Sequence, residues 1–159
     1  MGTVYLAHDP EDERDIALKI PKGDLARDSA LWERFQREAR AVGDMNHDNI
    51  CGMYEVGLIG ATHFIAMPYI VGRPLSDYIS AETPPSQRQV ASIIRRLARG
   101  LAHAHDRGIV HRDLKPANVM IDSRSEPIIM DFGLALRTDS KADVRATTSG
   151  PAPATPPLR

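Results

Sequence analysis

The spacing of the apolar residues changes along the chain, and this change limits the fold more than any other feature of the sequence. Up to about residue 70, four short runs rich in β-branched and aromatic residues surround one stretch with apolar residues every three or four positions. The former pattern predicts strands and the latter predicts a helix. Residues 86–107 repeat the helical spacing over a longer stretch. This order predicts an α+β fold, in which a small sheet with one helix precedes a mainly helical portion.

Turn and capping residues set the boundaries of these elements. The predicted strands are residues 3–8, 16–20, 51–56 and 62–67. Asp28 or Ser29 caps the first helix, which ends near residue 42. Ser86 and Gln89 have the spacing of a capping box in front of the second helix, and Gly108 lies where a C-terminal cap belongs.

Charge and cysteine content exclude several classes of protein. Twenty Lys and Arg against 21 Asp and Glu give a formal net charge of 20 − 21 = −1, which provides no general attraction to nucleic acid or to an anionic membrane. A single cysteine, Cys51, excludes an intramolecular disulfide and suits a reducing compartment, so we expect a cytoplasmic location. No apolar run approaches the ~20 residues that span a bilayer, and we expect no membrane segment within this chain.

Four polar motifs carry the chemistry of the chain. They are His111-Arg112-Asp113-Leu114-Lys115-Pro116-Ala117-Asn118, Asp131-Phe132-Gly133, Ala17-Leu18-Lys19-Ile20, and Glu38 in the first predicted helix. In this order, with a helix between the lysine and the octapeptide, the motifs resemble the eukaryotic-type protein kinase family, which includes bacterial Ser/Thr kinases. The resemblance covers residues 1 to about 135.

The resemblance implies a two-lobed fold and a reaction. The fold would have a small β-rich N-lobe and a mainly helical C-lobe. The reaction would transfer the γ-phosphate of ATP to a Ser or Thr hydroxyl of a protein substrate, with Mg²⁺ as cofactor and no role for nucleic acid. Because ATP carries several negative charges, such a site must supply cations and oriented dipoles.

The catalytic roles are likewise implied by the resemblance. Asp113 would be the catalytic base that accepts or orients the proton of the substrate hydroxyl, and Lys115 would neutralise the γ-phosphate. Asn118 and Asp131 would ligate Mg²⁺, which prefers carboxylate and amide oxygens. His111 would pack in the core against the Phe of Asp-Phe-Gly rather than bind a metal. Taken alone, the octapeptide is also typical of an Asx-rich turn.

The resemblance assigns the phosphate-binding pair to the first lobe. Lys19 would pair with the α- and β-phosphates, and Glu38 would hold the lysine in place. A surface lysine on an edge strand is the alternative for Lys19. For Glu38, the alternative is a local ion pair with Arg34 or Arg37 on the same helix.

The adenine pocket follows from the same resemblance. Met67 would be the gatekeeper, the Pro68 carbonyl and the Ile70 N–H would bond the adenine edge, and three apolar side chains would enclose the ring. These three are Val4, Ala17 and Met120. Each of these residues is also compatible with an ordinary place in the core.

The family pattern is incomplete in this sequence, so we expect a fragment truncated at both ends. Only Gly2 of the three glycines in the Gly-rich loop is present, and no Ala-Pro-Glu follows Asp-Phe-Gly. The expected domains are residues 1–70 for the N-lobe, 71–137 for the start of the C-lobe, and 138–159 for a partial activation segment with a disordered, Pro-rich tail. Apolar residues of the second helix would then be bare, which predicts an unstable or aggregation-prone chain.

Two other functions remain open from the residues alone. The first is a truncated or pseudokinase-like module without catalysis, which binds nucleotide or a partner protein. The second is a small-molecule phosphotransferase of related fold, although the Lys-Pro that follows His-Arg-Asp-Leu argues against it.

Overall fold

A computed structural model describes residues 2–21, 29–82 and 84–132. Its first part is a four-stranded antiparallel sheet in the order β1-β2-β4-β3, with one helix between the second and third strands. The elements are β1 Thr3–Asp9, β2 Arg14–Ile20, α1 Ser29–Gly43, β3 Glu55–Ile59 and β4 Thr62–Pro68. The register places Val4 opposite Lys19, and Ala17 opposite Met67.

The second part combines two helices with a three-stranded sheet in the order β5-β6-β7. The elements are β5 Gly72–Pro74, α2 Leu75–Ile79, α3 Gln87–His105, β6 Val119–Asp122 and β7 Pro127–Ile129. A short 3-10 helix, Pro116–Asn118, directly precedes β6. None of the helices in the described ranges is long and apolar enough to cross a membrane.

The predicted caps of α3 are confirmed. The Ser86 N–H donates to Gln89 Oε1 at 2.8 Å, and the Gln89 N–H donates back to Ser86 Oγ at 3.4 Å. Gly108 has φ +72° and donates its N–H to the His105 carbonyl at 2.8 Å. A left-handed residue that satisfies a free carbonyl is the usual way in which a helix ends.

Two predicted boundaries were wrong. The strand predicted over 51–56 is β3, and it begins only at residue 55 because the Cys51 N–H donates to the Ile129 carbonyl of β7 at 2.8 Å. The sequence from Pro68 to Pro74 predicts a short linker, but this segment contains β5, which pairs with β6 and continues directly into α2. Gly72 permits this pairing, since the backbone carbonyl of Ile121 lies where a Cβ would stand.

The core consists of two clusters that meet at β7. One cluster contains Ala17, Phe35, Cys51, Ile65, Met67 and Ile128, and the other contains Val42, Met45, Ile50, Ala104, Ile129 and Phe132. Successive residues of a strand point to opposite faces, so Ile128 and Ile129 place β7 between the first sheet and α3. The strand therefore connects the two parts of the α+β fold just before Asp131.

Candidate active site

The octapeptide forms a loop between α3 and β6, and a buried histidine ties this loop to the end of β7. His111 is 3% exposed, and its Nε2 bonds the Met130 carbonyl at 2.8 Å. Its Nδ1 lies 3.3 Å from the Asp113 N–H, which fixes Nδ1 as the acceptor and Nε2–H as the donor. The ring meets the buried Phe132 ring edge-on, with centroids 4.8 Å apart. The packing of His111 against Phe132 is thus as expected.

The carboxylate of Asp113 is held by two side chains of its own loop. Lys115 Nζ donates to Asp113 Oδ2 at 2.7 Å, and Asn118 Nδ2 donates to the same oxygen at 3.1 Å. Asn118 Nδ2 also donates to the Asp113 backbone carbonyl at 2.8 Å. The hydrogen bond from Lys115 is the main cause that holds the pKa of Asp113 below its ordinary value, and the Asn118 bond adds to it. Asp113 is therefore an anion at neutral pH.

The second acidic residue of the motifs meets the lysine of the first sheet. Lys19 Nζ lies 2.5 Å from Asp131 Oδ1, and the lysine side chain is only 15% exposed. Asp131 follows β7 with φ +57°, in the left-handed region that a non-glycine residue seldom adopts. The surface-lysine alternative for Lys19 is therefore wrong: its ammonium group lies in the cleft where the two parts of the chain meet.

Asn118 and Asp131 are positioned together by the backbone. The Met130 N–H donates to the Asn118 carbonyl at 2.8 Å, which places the residue before Asp131 directly beside Asn118. Because the amide nitrogen of Asn118 bonds Asp113, its amide oxygen is the atom left to accept a ligand. One carboxylate and one amide oxygen fit the chemistry of Mg²⁺.

The described residues contain no group of three or more His, Cys, Asp or Glu that would hold a metal ion by themselves. Mg²⁺ is commonly bound by one or two protein oxygens together with waters and substrate phosphates.

Most of the predicted adenine-pocket residues belong to one apolar region. Ala17 and Met67 are buried in the same core cluster, and Ile70 packs against that cluster. Met120 pairs with Ile128, a further member of the cluster. Pro68 ends β4 and is half-buried.

The other predicted residues are not members of this core cluster, or their side chains lie outside the described residues. Val4 is 57% exposed on β1. Gly2 precedes β1, and the Ile20 carbonyl lies where its Cβ would stand. Glu38 lies within α1, but its side chain is outside the described residues, as are Gly133 and the tail. The pairing of Glu38 with Lys19 therefore stays a prediction.

Sequence reasoning missed two buried residues behind the cleft. Asn49 is 6% exposed; its Nδ2 donates to the Pro127 carbonyl at 2.8 Å, and its own carbonyl accepts the Ile129 N–H at 2.9 Å. Cys51 lies two residues on, where burial, with a smaller effect of the Asp131 charge, raises the pKa of its thiol to about 12. An Asn in a polar loop carries no sequence signal of burial, since loops are usually at the surface.

Comparison with known proteins shows which family this chain resembles. The sequence matches the protein kinase domain over residues 1–153. It is 37% identical over 140 residues to the serine/threonine-protein kinase PrkC of Bacillus subtilis (strain 168), an alignment that covers 88% of this chain and 22% of PrkC. It is 35% identical over 153 residues to PknB of Mycobacterium leprae (strain TN), with 94% of this chain and 25% of PknB covered.

Solved structures agree with the sequence comparison. The kinase domain of PknI from Mycobacterium tuberculosis superposes with a TM-score of 0.74 at 32% identity, over 85% of this chain and 56% of that one. Rad53 1-466 in complex with AMP-PNP gives a TM-score of 0.72 at 26% identity, over 85% and 35%. The chain thus spans about a quarter or less of the length of the two curated relatives. It belongs to the protein kinase family, among the bacterial Ser/Thr kinases of eukaryotic type.

Proposed function

We propose that this chain carries the catalytic centre for transfer of the γ-phosphate of ATP to a Ser or Thr hydroxyl of a protein substrate, with Mg²⁺. The observation that carries the proposal is the meeting of Lys19 with Asp131 beside the loop that holds Asp113 and Asn118. PrkC and PknB are both named Ser/Thr kinases, and the Rad53 structure holds an ATP analogue. These likenesses support the same chemistry here.

The cleft supplies charges that match a polyphosphate. The Lys19 ammonium group, now paired with Asp131, would pair with phosphate oxygens when nucleotide is bound, and Glu38 is proposed to steady it. Asp131 and Asn118 would hold Mg²⁺, which supplies positive charge along the phosphates. Asp131 would then pair with Mg²⁺ in place of Lys19, and Lys19 would pair with phosphate, so that neither side chain would be left unpaired.

Asp113 is proposed to position the attacking hydroxyl. The substrate oxygen attacks the γ-phosphorus, the bond from that phosphorus to the bridging oxygen breaks, ADP departs, and the hydroxyl proton passes to Asp113 Oδ. Because hydrogen bonds lower the pKa of Asp113, it is a weak base, and it would receive the proton as the new bond forms. Lys115, 2.7 Å from Asp113, would place its positive charge on the transferred phosphoryl group.

The nucleotide base is proposed to enter the apolar region next to the end of β4. Ala17 and Met67 offer a buried wall, and the Pro68 carbonyl and the Ile70 N–H offer the polar contacts. The remaining members of the proposed site are Gly2, Val4 and Met120. A cytoplasmic location, where a single free thiol stays reduced, belongs to the same proposal.

Transfer of labelled γ-phosphate to a generic protein substrate tests the proposal. We expect Mg²⁺-dependent incorporation that falls roughly 100-fold or more in Asp113→Asn, because the amide cannot take up the proton. Asp15→Asn changes a 60%-exposed carboxylate toward the opposite end of β2 from Lys19 and is the matched control with unchanged transfer. Equal transfer by Asp113→Asn and the unaltered chain would contradict the role of Asp113. Mg²⁺-dependent ATP binding without any transfer would instead identify a nucleotide-binding module.

A further inference from the structure

The helix α3 carries basic side chains and no acidic ones. Its 19 residues include four arginines and no Asp or Glu. At 100° per residue, Arg88, Arg95 and Arg99 fall within a narrow stripe along one side of the helix, and all three are exposed. The opposite side carries Leu97 and Leu101, which pack against the core. We call Arg88, Arg95 and Arg99 the basic stripe.

The C-terminal end of the basic stripe borders a groove of about 430 Å³. The groove lies between α3, the loop after α1 and the turn between β6 and β7. Its lining residues are Asp48, Asn49, Arg96, Arg99, Arg124 and Glu126.

Three guanidinium groups of the groove retain unused donors. Arg96 pairs with Glu126, and the 79%-exposed Arg124 uses its Nε for Asp122 at 3.1 Å. Among the described residues, Arg99 forms no ion pair. A guanidinium has five N–H donors in a planar fork that suits carboxylates, so each of the three can still accept a further anionic partner.

We propose that the basic stripe and this groove bind an acidic, extended segment of a partner protein. Arg95 and Arg99 are one helical turn apart, which separates their Cβ atoms by about 5–6 Å. Alternate residues of an extended chain are about 6.6 Å apart on one face, so two carboxylates at alternate positions can meet both arginines. The basic stripe and the groove would thus bind a protein through residues that take no part in phosphoryl transfer.

The groove fits a peptide better than a continuous polyanion. Asp48 and Glu126 line it, and their carboxylates would repel an unbroken row of phosphates. A peptide whose acidic residues alternate with neutral ones avoids this repulsion. The formal net charge of −1 also gives the chain as a whole no attraction to nucleic acid. No residue of the proposed active site takes part, so peptide binding can be measured without ATP and can fail or succeed independently of phosphate transfer.

Fluorescence anisotropy with the full chain and a labelled peptide of alternating Glu and Ser tests the proposal. We expect saturable binding that weakens with added NaCl, and no binding of the same peptide with Gln in place of Glu. The double variant Arg95→Glu/Arg99→Glu should weaken binding about tenfold or more, since it opposes like charges. Arg37→Glu/Arg40→Glu makes the same charge change at two exposed positions of α1 and should leave the Kd unchanged. Circular dichroism of both variants checks that they fold.

Three results would overturn the proposal. The first is equal binding of the Gln peptide, which would show that charge recognition is absent. The second is equal weakening by the two double variants, which would show that only the overall charge matters. The third is displacement of the peptide by a single-stranded oligonucleotide or by phosphatidylserine vesicles at lower concentration than by unlabelled peptide, which would assign the surface to another class of partner.

Discussion

At the scale of single residues, Lys115 controls how readily Asp113 takes up a proton. Its ammonium group donates the shortest hydrogen bond that Asp113 accepts and is the largest cause of the lowered pKa of that carboxylate. The two residues are separated by one position in the sequence, and both side chains are partly exposed. Under the proposed function, a phosphoryl group that attracted Lys115 would release Asp113 from this hydrogen bond.

The first prediction concerns Lys115→Met, which removes the donor and keeps most of the apolar stem. The pKa of Asp113 should rise toward its ordinary value of 3.8, since the main stabilisation of its anion is lost. A carbon-detected NMR titration of the Asp113 carboxyl measures the change. Arg88→Met, an exposed change on α3, is the control, and an Asp113 titration that is the same in both variants would contradict the prediction.

The sign of the accompanying effect on stability follows from linkage. A carboxylate with a lower pKa in the folded chain stabilises the fold above the unfolded pKa, and this contribution disappears as the pH falls through the folded pKa. The free energy of unfolding should therefore depend less on pH below about 4 in Lys115→Met than in the unaltered chain. Because Asp113 is partly exposed, solvent screening keeps this effect small.

At the scale of elements, residues 49–51 of the loop after α1 are bonded to β7, whereas Tyr54 at the end of the loop is bonded to Ala66 of the first sheet. Asn49 contributes a side-chain bond to Pro127 and a backbone bond with Ile129, and Cys51 contributes a second backbone bond to Ile129. β7 continues into Met130, whose carbonyl accepts from His111. The end of α1 and the position of Asp131 are thus coupled through a few hydrogen bonds.

The second prediction concerns Asn49→Asp, which has nearly the same shape but places an acceptor against the Pro127 carbonyl. We expect a loss of about 1–3 kcal/mol in the free energy of unfolding, because a buried carbonyl loses its donor. Urea unfolding followed by the fluorescence of Trp32, the single tryptophan, measures this loss. Asn46→Asp makes the same change at an exposed position of the loop and should be neutral.

A separate measurement distinguishes positioning from stability alone. If Asn49 helps to place Asp131, Asn49→Asp should also weaken Mg²⁺-dependent ATP binding. The binding is measured without urea, at a temperature where the variant is fully folded. Affinity equal to that of the unaltered chain would limit Asn49 to a structural role.

Elements whose signals are local could be predicted from the sequence, and those that depend on distant partners could not. The capping box at Ser86 and the turn at Gly108 define α3 within a few residues. The late start of β3 follows from the bond between Cys51 and Ile129 of β7, and β5 exists because it pairs with β6. Both partners lie far along the chain, and no local pattern reveals these contacts. The five residues of α2 are too few to show a helical period.

The candidate site divides in the same way. One loop holds Asp113, Lys115 and Asn118, so the sequence motif by itself indicates that they lie close together. The contact between Lys19 and Asp131 is tertiary. The family resemblance assigned Lys19 to the phosphates and Asp131 to Mg²⁺, but it predicted no ion pair between the two residues. Asn49 had no such motif in the sequence analysis, and its burial is visible only in the structure.

At the scale of the whole molecule, the two parts of the fold share one strand. Ile128 belongs to the core cluster of the first sheet, and Ile129 belongs to the cluster beneath α3. Disturbing either cluster therefore displaces β7 and, with it, the residues that follow it. On α3, some apolar residues beside the packed side of the helix remain in contact with water.

The third prediction concerns that apolar surface. Ile94 is 59% exposed and Val90 is 38% exposed on α3, so both present apolar area to other molecules. Ile94→Glu should reduce self-association in sedimentation velocity and should change the free energy of unfolding by no more than about 0.5 kcal/mol, since little buried area is lost. Leu97→Glu is the contrasting variant: its side chain packs against the second core cluster, so the unpaired carboxylate should lower the Tm sharply. Unchanged association in a folded Ile94→Glu chain would show that this face does not cause it.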